Sequence, residues 1–219
     1  MGSYCFRLNG ADLEAHPAGI LWWPSRRLLA VADLHLEKAS AYALHGVFLP
    51  PYDSAATIIR LATVCAALNP ARVVAMGDSF HDDEAEGRLD PGVADVLTGV
   101  VQQCEWIWLA GNHDPLPPAA LEGLVREEWR EGPLVFRHEP NAREPGEVAG
   151  HLHPKIRISR RGQSVGARCF VTDGSQLVMP AFGALTGGLS ARDPDVRRLF
   201  RSRAFALMLG PEKVHPVKL

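Results

Sequence analysis

Short runs of apolar residues that end abruptly at a glycine or a polar residue recur along this chain. Such runs predict buried β-strands, because a continuous apolar segment of about four to eight residues bounded by turn signals is typical of a strand covered on both faces. Several of them are followed at once by side chains that can bind metals or transfer protons. They are Leu28–Ala32 before Asp33, Val73–Met76 before Asp78, Trp106–Ala110 before Asn112, and Glu147–Ala149 before His151.

Helices are predicted between these strands, because apolar residues there recur with the spacing of a helix. The first is expected over Tyr52–Leu68 and ends at Asn69-Pro70. The second starts at Asp90-Pro91, a residue pair suited to the N-cap and first helical position, and its apolar stripe reaches Cys104. A third is expected over Ala119–Trp129. This alternation of strands and helices predicts at least two parallel βαβ units.

The two ends of the chain have a different pattern. Strands are expected near the start over Tyr4–Leu8 and Gly19–Trp23, and another over Leu134–Arg137 ends at His138. From Gly150 onward, glycine turns separate short apolar segments, which indicates a second, more antiparallel sheet. These segments are Lys155–Ser159, Ala167–Thr172, Gln176–Met179 and Arg203–Leu209.

The composition is that of a globular protein. The 219 residues are 47% hydrophobic and 22% charged, which is enough for one substantial core, so a single domain over residues 1–219 is expected. The formal net charge of −2 argues against a broadly basic surface. A polyanionic partner would therefore have to be bound locally or through metal ions. The four cysteines lie far apart and do not predict a zinc site.

The sequence also predicts a cytoplasmic location. Residues Met1–Arg7 lack the charged and apolar pattern of a signal peptide. No segment reaches the run of about 18 apolar residues that a membrane helix needs, so no membrane partner is expected.

The polar residues at the strand ends form a candidate metal site. One histidine alone is weak evidence, because a histidine on an apolar face is more often a hydrogen-bonded core residue than a ligand. Several in matching positions are better evidence, since rigid strands can fix ligands accurately. Oxygen and nitrogen donors without thiolate suit Mn²⁺, Fe or Zn²⁺ rather than calcium. The candidates are Asp33, His35, Asp78, Asn112, His138, His151 and His153.

These motifs resemble those of the calcineurin-like metallophosphoesterases. The similar blocks, in the same order, are Asp33-Leu34-His35, Gly77-Asp78, Gly111-Asn112-His113-Asp114, a later histidine at His138, and Gly150-His151-Leu152-His153. The resemblance implies an α/β fold: a metallophosphoesterase-type β-sandwich of two mixed sheets flanked by helices, in αββα layers. It also implies two divalent metal ions. Asp33, His35, Asp78 and His153 would hold one, and Asp78, Asn112, His138 and His151 the other.

The resemblance implies catalytic roles for two further residues. His113 would not be a ligand but would stand over the leaving-group oxygen as proton donor or transition-state stabiliser. An imidazole suits this role because its ordinary pKa, about 6.5, lets it donate a proton near neutral pH. Asp114 would orient the His113 ring.

Some motifs are similar to those of a narrower bacterial group, the DNA damage response endonucleases encoded beside an ATP-dependent DNA ligase and a helicase. The similar segments are Val31–Leu36, Met76–Asp82 and Pro180–Gly188. The resemblance implies a phosphodiesterase that acts on DNA, single-stranded or flexible, and the ligase and helicase as functional partners. It implies Mn²⁺ as the metal, with Fe or Zn as alternatives. Glu37 departs from the pattern, since a small residue is expected there.

Other functions stay open at this point. A phosphohydrolase of a small nucleotide or pyrophosphate would use the same metal core, and a non-catalytic scaffold could keep the fold. Lys38, beside the predicted site, is either a phosphate contact or a solvated lysine. The basic cluster of Arg197, Arg198, Arg201 and Arg203 is either a solvated helix face or a patch that attracts phosphate.

Overall fold

A seven-stranded sheet forms the N-terminal half of the protein. The computed structural model describes residues 2–114, 121–141, 144–160, 162–201 and 203–219. Within them the strands of this sheet follow one another in chain order. The first four strands pair antiparallel with one another, and the fourth to seventh strands pair parallel. They are β1 (Tyr4–Leu8), β2 (Ala11–Ala15), β3 (Leu21–Trp23), β4 (Leu28–Val31), β5 (Arg72–Met76), β6 (Glu105–Leu109) and β7 (Leu124–Arg126).

The second sheet is formed by the C-terminal half. Its strands are β8 (Glu128–Glu131), β9 (Leu134–Arg137), β10 (Glu147–Ala149), β11 (Lys155–Arg160), β12 (Gln163–Thr172), β13 (Leu177–Val178), β14 (Phe205–Leu209) and β15 (Val214–Lys218). The described strands lie in the order β15-β14-β12-β13-β10-β9-β8, and β11 pairs with β12. Strand β10 is parallel to both β9 and β13, while the other pairs are antiparallel. Both sheets are therefore mixed.

The helices connect the strands and lie outside the sheets. They are α1 (Lys38–Leu44), α2 (Asp53–Leu68), α3 (Ala85–Arg88), α4 (Pro91–Val101) and α5 (Pro194–Arg197). The side chain of Asp90 accepts hydrogen bonds from the N–H groups of Gly92 and Val93 and so caps α4. Among the helices of the described residues, none is long and apolar enough to cross a membrane.

The core consists of three layers of apolar contacts. Alternate residues of β5 and β6 point to opposite faces: Val74 and Ile107 lie in the cluster between the sheets, while Trp106 and Trp108 lie in the cluster under α2 and α4. A smaller cluster packs Val196 of α5 against the outer face of the second sheet. The predicted fold class, an α/β sandwich of two mixed sheets flanked by helices, is confirmed.

The helix predicted over Ala119–Trp129 is wrong from Leu121 onward, and residues 119–120 lie outside the described part of the chain. The chain forms β7 and β8 there instead. Gly123, at a φ of +136°, lies so close to β6 that a Cβ atom would be 2.8 Å from Nε1 of Trp108. Pairing with the edge of β6 satisfies the backbone donors and acceptors of this segment, and local helix-like spacing does not outweigh it.

Candidate metal centre

The parallel strands deliver the predicted site residues to one edge of the fold. Because parallel strands end at the same edge of a sheet, the loops that follow them converge there. Asp33 lies two residues after β4, Asp78 two residues after β5, and Asn112 three residues after β6. His138 follows β9, and His151 and His153 follow β10 in the facing sheet. The structure thus brings together all seven residues predicted as ligands.

Five of these residues have a left-handed backbone conformation. The φ angles are 55° at Asp33, 44° at His35, 47° at Asp78, 67° at His151 and 47° at His153. Non-glycine residues rarely adopt such angles, which cost about 1–3 kcal/mol each and persist only where the surrounding structure holds them. Here backbone hydrogen bonds tie the loops together, such as the one from His35 N–H to the Asp78 carbonyl at 2.9 Å. The site is thus held in shape at a cost to stability.

A first cluster consists of Asp33, His35 and His153. Nε2 of His153 is 3.3 Å from Oδ1 of Asp33 and also 3.3 Å from Nε2 of His35. Potential ligand atoms of the three residues all lie within 4.8 Å of one another. Two imidazole nitrogens and a carboxylate oxygen at these distances can surround one cation.

A second cluster consists of Asp78, His138 and His151, with Asn112 beside it. Nε2 of His138 is 3.1 Å from Nδ1 of His151 and 2.8 Å from Oδ1 of Asn112. Oδ2 of Asp78 is 3.4 Å from the same His138 nitrogen. Oxygen and nitrogen donors again converge on one point.

Asp78 lies between the two clusters. Its Oδ2 is 3.4 Å from His138 and 3.8 Å from His35. Its Oδ1 accepts the backbone N–H of His113 at 2.9 Å, which fixes the orientation of the carboxylate. Asp78 is therefore placed to contact a cation in either cluster.

The orientation of His138 is determined by β5 and the glycine after it. Nδ1 of His138 is 3.0 Å from the carbonyl of Met76 and can donate to it, which leaves the Nε2 lone pair facing the second cluster. The ring lies against Gly77, whose Cβ position is 2.6 Å from Cγ of His138. A larger residue at position 77 would therefore displace His138.

The electrostatics of the site fit cations. Burial lowers the pKa of His35 to about 3, even though the charge of Asp78 opposes this shift, so its ring is neutral. At His138 burial favours the neutral form, but a hydrogen bond to Asp78 and the charges of Asp33 and Asp78 outweigh it and raise the pKa to about 9. Among the described residues no lysine or arginine forms an ion pair with Asp33 or Asp78. Imidazole nitrogens and buried carboxylate oxygens together are a suitable donor set for divalent metals.

His113 lies beside the clusters, and a ring nitrogen faces a backbone carbonyl. Nδ1 of His113 is 3.0 Å from the carbonyl oxygen of His81. Asp114 instead accepts the backbone N–H groups of Ser79 and Phe80 through Oδ2, at 2.8 and 3.0 Å. In the described residues, then, the His81 carbonyl is the partner of the His113 ring, while Asp114 fixes the loop after β5.

His81 is a residue of the site that the sequence did not single out. Its ring stacks on that of His113, with centroids 5.0 Å apart and an interplanar angle of 21°. His35, His81 and His113 also form a group whose ligand atoms lie within 4.8 Å of one another. Its position could have indicated it, because it lies three residues after Asp78 in the segment Met76–Asp82, which is similar to the DNA damage response endonucleases.

The two charged residues at the start of α1, Glu37 and Lys38, have different environments. Lys38 is half-buried, and burial lowers its pKa although the charge of Asp78 opposes the shift. Oε1 of Glu37 accepts a hydrogen bond from the Ser54 hydroxyl at 2.7 Å. The carboxylate of Glu37 thus binds the start of α2 and does not line either cluster, which explains how an acidic residue is tolerated at this position.

Comparisons with known proteins found two similar solved structures. Among curated protein sequences no relative matches. The solved structure of Pseudomonas putida nuclease MPE is similar, with 28% identity, a TM-score of 0.76, and coverage of 98% of this chain and 100% of that chain. Yfce, a phosphoesterase from E. coli, matches with 15% identity and a TM-score of 0.44, over 87% of this chain and 98% of that chain.

A family model described as calcineurin-like phosphoesterase matches residues 26–174, which include every residue of the two clusters. The protein is a metal-dependent phosphoesterase, and the chain belongs to the calcineurin-like phosphoesterase family.

Proposed function

We propose that this protein is a Mn²⁺-dependent DNA endonuclease that acts in DNA repair. Family membership and the similarity to a nuclease support hydrolysis of phosphodiester bonds. The observation that carries the proposal is the position of Asp78, whose Oδ2 faces both clusters of oxygen and nitrogen donors. Similarity to nuclease MPE over the full length of both chains favours a nucleic acid as substrate.

The chain would hold two divalent ions. Asp33, His35, Asp78 and His153 would bind one of them, and Asp78, Asn112, His138 and His151 the other. Two divalent ions about 3.5–4 Å apart lower the pKa of bound water and stabilise the charge that develops during in-line displacement at phosphorus. Mn²⁺ is proposed because the sequence resembles Mn²⁺-dependent endonucleases, and the carboxylate, amide and imidazole donors are compatible with this ion.

His113 would supply the proton for the leaving group. Its backbone N–H is bonded to Asp78 and its Nδ1 faces the His81 carbonyl. When Nδ1 carries a hydrogen, this carbonyl fixes the tautomer, so Nε2 is the atom that can carry a proton to the departing oxygen. Asp114 would act indirectly, by holding the loop after β5 through Ser79 and Phe80.

The remaining parts of the proposal concern the protein's context. The substrate would be single-stranded or flexible DNA, because a site at a sheet edge must admit a strand that can bend into it. An ATP-dependent DNA ligase and a helicase would be functional partners in the cytoplasm, since a cut strand must be separated and resealed. Residues 1–219 would act as one domain.

The proposal is tested by measuring hydrolysis of several substrates with and without Mn²⁺. Protein stripped with EDTA and reloaded with Mn²⁺ should hydrolyse bis(p-nitrophenyl) phosphate and nick circular single-stranded DNA, while the stripped protein should do neither. Two bound metal ions per chain are expected by elemental analysis. Faster turnover of nucleotides or pyrophosphates than of DNA would favour the small-substrate alternative. Absence of bound metal and of any turnover after reloading would refute an enzymatic function.

A further inference from the structure

A second concave region lies outside the metal centre. It is a groove of about 1500 Å³ between the β2–β3 turn, α2, the β11–β12 hairpin and the β14–β15 turn. Small-molecule pockets usually measure about 300–1000 Å³, so this groove is larger than a nucleotide needs. Its walls include the cationic residues Arg60, Lys155, Arg157 and Arg168. Among the described residues that line it, Glu212 is the single carboxylate.

Two of these arginines converge on one carbonyl oxygen. Arg60 Nη2 and Arg168 Nη1 both donate to the carbonyl of Phe182, the latter at 3.0 Å. The Arg60 guanidinium also lies 4.1 Å from the centre of the Phe182 ring, and its Nε is buried without a hydrogen-bond partner in the described chain. Burial and the charge of Arg168 lower the pKa of Arg60 to about 10. Two like charges are thus held together, and the described residues provide no counter-ion for them.

None of the four cations forms an ion pair with a carboxylate within the described residues, although seven arginines elsewhere in that part of the chain do. Arg157 is exposed and donates to Ser164. Lys155 Nζ donates to the carbonyl of Thr186 at 2.9 Å. Their charges are therefore available to an external anion. Guanidinium groups form strong, charge-assisted hydrogen bonds with phosphate.

The groove and the metal centre share the segment Ala181–Gly183. Arg60 and Arg168 contact this segment from the groove. Its N–H groups at Phe182 and Gly183 donate to the carbonyls of Ala32 and Asp33, at 2.8 and 3.0 Å. A strand bound in the groove would therefore pass close to the Asp33 loop.

We propose that this groove binds the phosphodiester backbone of the nucleic-acid strand that flanks the scissile phosphate, with Arg60, Arg157 and Arg168 as its phosphate contacts. The proposal rests on the nuclease function proposed above. An overall charge of −2 gives no general attraction for DNA, so a local group of unpaired cations is needed to hold the strand. The size of the groove favours a chain of nucleotides over a single phosphate.

The test measures DNA binding separately from cleavage. Fluorescence anisotropy of a labelled single strand of roughly 20 nucleotides, longer than the site size of a typical single-strand-binding fold, is followed at several salt concentrations with EDTA present, so that the strand is not cut. Arg157→Ala is the main variant, because its side chain is exposed and its loss should not affect folding. Arg7→Ala is the matched control, an exposed arginine on β1 outside the groove.

The salt dependence distinguishes a phosphate contact from a structural role. Each contact to a single strand contributes about 0.7 to the slope of log Kd against log salt concentration, so Arg157→Ala should reduce the slope by about that amount. Its Kd should rise by about threefold to tenfold. Arg7→Ala should match the wild type. Arg7→Ala should also retain wild-type turnover of bis(p-nitrophenyl) phosphate.

Three results would overturn the proposal: no binding by the wild type, equal slopes for Arg157→Ala and Arg7→Ala, or equal affinity for a dinucleotide and the long strand. Equal affinity for the dinucleotide and the long strand, together with displacement of the strand by millimolar inorganic phosphate, would identify a site for free phosphate. A protein that binds DNA as expected but does not cut it refutes the nuclease function and leaves the groove standing. A protein that cuts DNA, but whose salt-dependence slope is the same for Arg157→Ala as for Arg7→Ala, supports the nuclease function and refutes the role of the groove.

Discussion

The metal centre and the arginine-lined groove each bring similar groups close together. The metal centre collects nitrogen and oxygen atoms with lone pairs, and the groove collects guanidinium cations. In the metal centre, imidazole nitrogens of His35 and His153 lie 3.3 Å apart beside buried carboxylates. In the groove, Arg60 and Arg168 donate to the same carbonyl oxygen. Each arrangement is unfavourable without a partner of opposite character, since buried groups of this kind need compensation. The first therefore calls for cations and the second for an anion, which are the two components that a metal-dependent phosphodiesterase brings together.

A network on the β8–β9 side shows that the fold can satisfy its arginines internally. Arg72, Arg130 and Arg137 each contact two or more carboxylates. Arg137, for instance, is 3.0 Å from Glu147 and 2.7 Å from Glu128. Among the described residues, the lack of such partners in the groove is thus a local property of that surface. Pairing with carboxylates therefore distinguishes arginines that stabilise the fold from arginines that are available to a ligand.

The largest expected effect is at Asp78, which tests whether the two clusters share one ligand. Loss of a residue that merely supports a metal ligand costs about 10–100-fold, so Asp78→Asn should reduce kcat/KM for bis(p-nitrophenyl) phosphate by about 10³ or more. Asp83→Asn, the same change at an exposed position five residues away, is the control and should behave like the wild type. Lys38→Ala should cost less than about tenfold, as expected for an exposed or half-buried charge that acts on substrate alone. Equal losses for Asp78→Asn and Lys38→Ala would contradict the shared position.

The next effect concerns His113 and depends on the leaving group. General-acid catalysis contributes about 10²–10⁴-fold, so His113→Ala should lower kcat for DNA by about 10² or more. The loss for bis(p-nitrophenyl) phosphate should be much smaller, because p-nitrophenolate leaves without needing a proton. Comparison of the two kcat ratios measures this difference. Equal losses on both substrates would assign His113 to the support of Asp78, to which its N–H is bonded.

Much of this architecture is encoded locally. Apolar runs that stop at Asp33, Asp78 and Asn112 predict strand ends, and parallel strands place those ends at one edge. The Asp90-Pro91 pair fixes the start of α4 through a hydrogen bond that depends only on neighbouring residues. The position of His138 follows from its order and strand-end context, and the structure adds the contact with Gly77 that orients it. Local patterns were therefore sufficient to indicate which side chains would meet.

Features that depend on distant contacts were not predictable in this way. The β7 segment has helix-like spacing, and its strand form depends on pairing with the edge of β6. The partner of the His113 ring is a backbone carbonyl at His81, which no side-chain pattern can reveal. The groove combines residues of α2, β11 and β12 with segment Ala181–Gly183. In the sequence, each of the groove's arginines and its lysine is indistinguishable from an ordinary surface cation, because only the fold brings them together.

Metal binding should raise the melting temperature through the metal centre and independently of the arginine-lined groove. Mn²⁺ at about one hundred times its Kd adds about 2.7 kcal/mol to stability, and a chain of this size gains about 2–4 °C in Tm per kcal/mol. A rise of about 5–11 °C over the EDTA-treated protein is therefore expected in a thermal melt. Asp78→Asn should lose most of this rise and Arg157→Ala should keep it. A rise retained in full by Asp78→Asn would place the metal elsewhere.

The smallest effect distinguishes an arginine that binds ligand from one that stabilises the fold. Arg168 donates to the carbonyls of Ala181 and Phe182 at 2.7 and 3.0 Å, whereas Arg72 is paired with Glu105 and Glu131. Arg168→Gln keeps a donor but loses the charge, so KM for single-stranded DNA should rise by about tenfold, the loss expected for one charge-assisted contact. Turnover of bis(p-nitrophenyl) phosphate should stay within about twofold, because that substrate does not reach the groove.

Arg72→Gln should show the opposite result, with an unchanged KM for DNA. Two carboxylates lose their partner on a partly exposed surface, so stability should fall by about 1 kcal/mol, or about 2–4 °C in Tm. Steady-state kinetics on both substrates and thermal melts of both variants provide the measurements. If Arg168→Gln impaired both substrates equally, its role would be to hold the segment Ala181–Gly183 against the Asp33 loop, because a displaced Asp33 affects every substrate alike.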